Sequence, residues 1–153
     1  MKKLFWAGII GLLCLAPLGA LSGCACPEDI LEVWEGSATF IGSGSIDQFG
    51  LKITFGSSKV IVELELPWGC LYTLPVDYTH EDCVVNVDGS FQMSEDCWGY
   101  RDVQGKLEGK LRFTSEDRLS GRLRHAAHFY DPEEGEFADD SGTFFLSATR
   151  VVD

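Results

Sequence analysis

The chain has 153 residues, with 24 acidic against 12 basic side chains and a formal charge of −12. So acidic a chain is a poor partner for nucleic acid, whose phosphates need clustered Lys and Arg, and is not drawn as a whole to anionic lipid headgroups. Its length fits a single domain with a real core.

The first element is an export signal. Lys2 and Lys3 precede an uncharged apolar run over 4–16, and Pro17, Gly19 and Ala20 follow. This is the layout of a secretory signal, and the run falls short of the roughly 20 residues of a membrane-spanning helix. Leu21-Ser22-Gly23-Cys24 then resembles the lipobox of bacterial lipoproteins. The resemblance covers residues 1–24 and implies a diacylglyceryl group on the Cys24 thiol, cleavage before Cys24 and acylation of the new amino group. The partner it implies is the membrane, through that lipid. One acyl chain alone holds marginally, at about 0.8 kcal/mol per buried CH₂, whereas two or three hold firmly. In this family an Asp after the lipidated Cys favours the inner membrane. Here the residue is Ala25, so the resemblance implies a cell-envelope location, at the outer membrane where the organism has one. The expected organisation is a removed signal over 1–23, a lipidated tether over 24–32 and one domain over 33–153. The chain left after cleavage, 24–153, carries ten basic against 24 acidic residues, a formal charge of −14.

Cys14 leaves with the signal and Cys24 takes the lipid. Cys26, Cys70, Cys83 and Cys97 remain, an even number in an oxidising compartment, which predicts two disulfides. The chain after Cys24 has no Cys-x-x-Cys pair, so zinc is disfavoured. Of three possible pairings, Cys70–Cys83 with Cys26–Cys97 is favoured: the first closes a local strand pair, the second pins the tail.

From Val33 onward the pattern has period two. Trp34, Gly36, Ala38 and Phe40 fall on one side, and a Gly-Ser turn follows over 42–45. Leu51, Ile53 and Phe55 alternate with polar residues up to Gly56-Ser57-Ser58. Val60, Val62, Leu64 and Leu66 form the clearest amphipathic strand. The next strand, 70–78, contains Pro75, which lacks a backbone N–H and predicts an edge, bend or bulge. Residues 79–82 read as a loop. Val84, Val85 and Val87 form a short strand that Asp88-Gly89 turns into 90–93, and 94–96 is a loop. Leu107, Gly109, Leu111 and Phe113 pair as a hairpin with Leu119, Gly121 and Leu123. The stretch 131–140 reads as an acidic loop, and the last strand runs over 142–151 with Phe144, Leu146 and Ala148 on one face.

The predicted class is all-β: an antiparallel meander forming an up-and-down barrel of about 8–10 short strands, with a β-sandwich as the alternative. The expected core is Trp34, Phe40, Ile53, Phe55, Val62, Leu64, Leu111, Phe113, Leu123 and Phe144. A Trp on the first strand (Trp34) and an Arg ending the last (Arg150) are similar to small ligand-binding barrels of the lipocalin type. In those, such an Arg packs over such a Trp at the closed end. Trp34-Glu35-Gly36 reverses that family's usual Gly-x-Trp order.

Chemistry-bearing clusters are few. No Gly-x-Ser-x-Gly elbow and no phosphate-binding glycine motif occurs. His125 and His128 are three apart, which on a strand sends one ring in and the other out. His80-Glu81-Asp82 is the best hydrolase candidate, but no nucleophile accompanies it, so a non-enzyme is expected. Asp131, Glu133, Glu134, Glu136, Asp139 and Asp140 offer hard oxygen ligands without EF-hand spacing. A solvated acidic run is preferred there over a cation site. No cofactor is implied. Lys106, Lys110, Arg112, Arg118, Arg122 and Arg124 share the outer face of one hairpin, a candidate surface for an acidic partner. The functional expectation is an envelope binding or interaction module with a packed core that meets another envelope protein. The alternatives are a lipocalin-like carrier of a small apolar ligand and a structural or assembly protein of the envelope.

Overall fold

The computed structural model describes residues 26, 27, 29–42 and 44–152. The expected signal over 1–23 and the lipidation candidate Cys24 lie outside the described residues. Eight antiparallel strands form a closed meander barrel in sequence order: β1 (Val33–Gly42), β2 (Ile46–Phe55), β3 (Lys59–Glu65), β4 (Leu71–Glu81), β5 (Val84–Glu95), β6 (Arg101–Ser115), β7 (Arg118–Asp131) and β8 (Glu136–Arg150). No helix occurs among the described residues. The ladder between β1 and β8 closes the sheet, with Trp34 opposite Arg150 and Phe40 opposite Phe144. That closure rules out the sandwich alternative and removes both sheet edges. All ten expected core residues are buried.

Three stretches run longer than the sequence pattern predicts. Asp88-Gly89 is a strong turn signal, yet β5 passes straight through it. Val85, Val87, Gly89 and Phe91 keep the inward alternation, and a Cβ on Gly89 would collide with Val76 and the Asp77 backbone. Close approach to β4 is what requires glycine there. β4 likewise continues to Glu81, so His80 sits on a strand. β8 begins at Glu136, which leaves only 132–135 as the acidic turn.

Because the strands simply go up and down, alternate turns share an end. The turns at 56–58, 82–83 and 116–117 define a closed end, where the described tail over 29–32 and the end of β8 also lie. Those near 42–45, 66–70, 96–100 and 132–135 ring the opposite mouth. At the closed end Trp34 is fully buried against Phe113, their rings 5.1 Å apart. Ile30 from the tail packs into the same core. Glu32 O accepts from Phe55 N, and Val33 O accepts from Val151 N at 2.9 Å. The Arg150 Nε lies 3.4 Å from a Glu32 carboxylate oxygen.

The disulfides are Cys26–Cys83 and Cys70–Cys97, which corrects the expected pairing. Cys70 and Cys83 flank the eleven-residue β4, whose rise is about 34 Å. They therefore sit at opposite ends of the barrel and cannot bridge. Cys83 meets the tail at the closed end; Cys70 and Cys97 meet at the mouth.

Pro75 produces the predicted irregularity. β3 and β4 pair throughout, from Lys59↔Asp77 to Glu65↔Leu71, but β4 and β5 pair only over Tyr78↔Val87 to Glu81↔Val84. The mouth half of that seam has no ladder pairs, and the Cys70–Cys97 bridge spans its end.

Gly36, Gly109 and Gly121 do not open the interior. A Cβ at each would strike the backbone of the neighbouring strand: Ser147 O, Arg122 O and Lys110 O respectively. Gly109 also has φ +153°, which side-chain-bearing residues rarely adopt. These are points of close strand approach in a coiled barrel wall.

Candidate ligand-binding site

The closed half of the barrel is packed solid. Ile53, Val60, Val62, Leu74, Val85, Leu107, Leu111 and Leu123 are all at most 2% exposed. The mouth half is not. Inward residues nearer the mouth are predominantly aromatic, and their rings stand around a cavity of about 360 Å³. The expectation of a wholly packed interior therefore fails in this half. Large planar rings held on a barrel wall leave space between them where branched aliphatics would interdigitate.

Phe40, Phe49, Tyr72, Phe129 and Phe144 form the wall, while Trp98 and Tyr100 reach in from the β5–β6 loop. That loop is shaped by Asp96. Its Oδ1 accepts from Trp98 N at 2.9 Å and from Tyr100 N at 3.0 Å. Burial nevertheless outweighs those hydrogen bonds and pushes the Asp96 pKa above the ordinary carboxyl value. Trp98 is 47% exposed and meets Tyr72 and Trp68 edge-on, at 5.6 and 6.4 Å.

His125 sits among these rings. It is 8% exposed, stacked with Phe91 at 5.6 Å and edge-on to Phe40 and Phe144. Its Nε2 lies 3.4 Å from Tyr72 Oη, and its Nδ1 is buried without a hydrogen-bond partner in the protein. Burial lowers the His125 pKa, only partly opposed by Asp140, so the ring is neutral at pH 7. Burial also raises the Tyr72 pKa, as do Asp96 and Asp140, so its hydroxyl keeps its proton. A buried imidazole with an unspent nitrogen beside a protonated phenol is a polar recognition point on an otherwise apolar wall.

The inside–outside split of the two histidines follows the strand rule. His128 faces outward, its Nδ1 2.8 Å from Asp139 Oδ1 and its ring stacked on Phe137 at 5.1 Å. Alternation continued from Leu123 marks His125 as the inward one, but its place among aromatics depends on residues from four other strands and was not visible.

The remaining candidates are dispersed. His80 is exposed on β4, with only an edge contact to Phe113 at 6.0 Å. Asp131 is consumed by its own turn: Oδ1 accepts from Glu133 N at 2.9 Å, and its carbonyl accepts from Gly135 N at 2.8 Å. Glu133, Glu134 and Glu136 are exposed. Among the described residues no three His, Cys, Asp or Glu side chains converge to hold a metal ion.

The six basic residues do share the exposed outer face of β6 and β7. Lys106 bonds Glu108 at 2.8 Å and Asp88 at 3.1 Å, and Arg124 bonds Glu108 at 2.6 Å. Among the described residues Lys110, Arg112, Arg118 and Arg122 have no carboxylate within 4.0 Å.

No protein-family model matches this chain, and a search of curated proteins finds no match either.

Proposed function

We propose that this protein is a lipid-anchored envelope protein whose barrel mouth binds a small, largely apolar ligand. The observation that carries the binding reading is the aromatic cavity of about 360 Å³ in an otherwise tightly packed barrel. Its volume falls at the lower end of small-molecule sites, and its wall has their composition: apolar rings with a few polar groups. This favours the carrier over the protein-interaction module, whose candidate basic face is partly neutralised by Glu108 and Asp88.

The anchor rests on the sequence of residues 1–24. With Cys24 acylated, the closed end lies next to the membrane, because Cys26 is fixed to Cys83 and two residues span only about 7 Å. The mouth then opens away from the bilayer. Intact mass after detergent extraction is expected to give an amino terminus at Cys24 with an acyl increment, and an unmodified soluble chain would refute the anchor.

The binding reading is tested with N-phenyl-1-naphthylamine, a neutral apolar fluorophore. Saturable enhancement at one site is expected. Ala127 lines the cavity and is 8% exposed, so Ala127→Phe should fill it and weaken binding roughly tenfold, the 1–3 kcal/mol scale of one side-chain-sized steric change. Enhancement that never saturates, or that Ala127→Phe leaves unchanged in a folded protein, would sink the reading.

A further inference from the structure

The charged groups lining the mouth cavity are of one sign. Asp47, Asp96, Asp139 and Asp140 line it, and no Lys or Arg does. Asp139 is also held by the outward-facing His128, yet its charge still adds to the field at the mouth. His125, the one lining residue able to become cationic, is kept neutral by burial.

The wall adds to this polarity. An aromatic face carries the negative part of the ring quadrupole and attracts a cation placed within about 6 Å. Trp98 and Tyr100 stand at the rim beside Asp96, and Trp98 is half exposed there. A third, independent feature lies deeper. When the His125 Nε2–H donates to Tyr72 Oη, Nδ1 holds a lone pair, and the protein supplies no donor to it. A buried acceptor left unmatched is costly; His125 lines the cavity, and a ligand N–H that reaches Nδ1 through a small shift of the surrounding rings would match it.

Resting on the ligand-binding reading above, we propose that the mouth cavity selects a small organic ammonium ion with an aromatic or apolar body, such as an arylalkylamine, over an apolar carboxylate. The carboxylate rim attracts the ammonium group from solution and repels an anion. The ring wall takes the apolar body, and the cation is stabilised both by charge and by aromatic faces. A fatty-acid-like ligand fits the apolar wall equally well but meets the carboxylates of the rim and no lining Lys or Arg to receive its head group.

The test is displacement of bound N-phenyl-1-naphthylamine from the full chain by 2-phenylethylammonium and by 3-phenylpropionate at equal ionic strength. The two compete with similar apolar bodies and opposite charge. The ammonium ion is expected to displace the dye at a roughly tenfold lower concentration, the scale of one favourable cation contact. In Asp47→Asn/Asp96→Asn this preference should shrink to within about threefold. Asn keeps an Oδ1 to accept from Trp98 and Tyr100 N–H, so the loop is retained, and unchanged Trp fluorescence and thermal melting of the variant verify that it is. Dye binding with equal or stronger displacement by the propionate overturns the ammonium proposal and leaves the cavity reading intact. A preference that persists unchanged in the double variant also overturns it, because the rim charge is then not its source. Absence of dye binding, with no calorimetric signal from the ammonium ion, overturns both.

Discussion

Replacing Cys70 and Cys97 together by Ser should lower the free energy of unfolding by about 3.5 kcal/mol, read from guanidinium melts followed by Trp fluorescence. The chain-entropy estimate for a separation of 27 residues gives this magnitude. The geometry says where the loss is felt. Beyond Tyr78↔Val87 the β4–β5 seam carries no ladder pairs towards the mouth, and Pro75 has no N–H to donate to one. The edge-on contact of Tyr72 with Phe91 at 6.3 Å, together with the disulfide, holds that half shut. Without the bridge, amide exchange should rise first in 71–77, and the mouth cavity should lose its fixed shape. The same change at Cys26 and Cys83 has a larger loop, 57 residues, and an estimate of about 4 kcal/mol. Its effect should appear at the closed end, as exposure of Ile30 and Trp34. The two loops interpenetrate, because Cys70 lies within the first, so losing both should cost less than the sum. A Cys70→Ser/Cys97→Ser protein within about 1 kcal/mol of the parent would show that packing alone closes the seam.

The barrel was legible because its closed half obeys a simple rule. Trp34, Ile53, Phe55, Val62, Leu111 and Leu123 alternate with polar residues, and every one faces inward. Alternation gives direction for each residue independently of the rest of the chain. Strand ends were harder, since local turn chemistry competes with tertiary contact. Asp88-Gly89 has the composition of a turn, but Gly89 is small because Val76 lies against it. The disulfide expectation failed for a separate reason: even a strand ending at Tyr78 holds Cys70 and Cys83 about 27 Å apart, so nearness in sequence was no guide to pairing, and only the up-and-down topology brings Cys70 to Cys97 and Cys83 to the tail.

The cavity was not legible for a different reason. Periodicity marks Phe40, Phe49, Tyr72, His125 and Phe144 as inward, but whether five rings interlock or stand apart depends on their relative height around the barrel. Register sets that height, and register is a property of the whole closed sheet. Gly36, Gly109 and Gly121 do not create that space, because each is a point of close strand approach. The chemistry of the mouth has the same non-local origin: Asp47, Asp96, Asp139 and Asp140 come from β2, the β5–β6 loop and β8, and only closure brings their charges to one rim.

The closed end offers the second large effect. Trp34→Ala should cost about 3–5 kcal/mol, as for other fully buried aromatic truncations. Trp34 is 0% exposed, contacts Phe113 at a ring distance of 5.1 Å and lies directly across the β1–β8 ladder from Arg150. Its loss would empty the barrel floor beneath Ile30. Trp34→Phe should behave quite differently. The indole Nε1–H is buried with no hydrogen-bond partner in the protein, and an unsatisfied buried donor costs about 1–3 kcal/mol. Phenylalanine gives up part of the apolar area but also removes that donor, so the two changes offset. The expected net loss is under about 1.5 kcal/mol, the range of well-tolerated apolar exchanges. The mouth lies at the other end of the barrel, so the Trp34→Phe protein should bind N-phenyl-1-naphthylamine as the parent does. A Trp34→Phe loss as large as that of Trp34→Ala would mean the indole N–H is matched, by ordered water between Trp34 and the Glu32–Arg150 pair. In that case the ion pair would also lose stability in the same variant, visible as earlier exchange of the Val151 amide that bonds Val33 O.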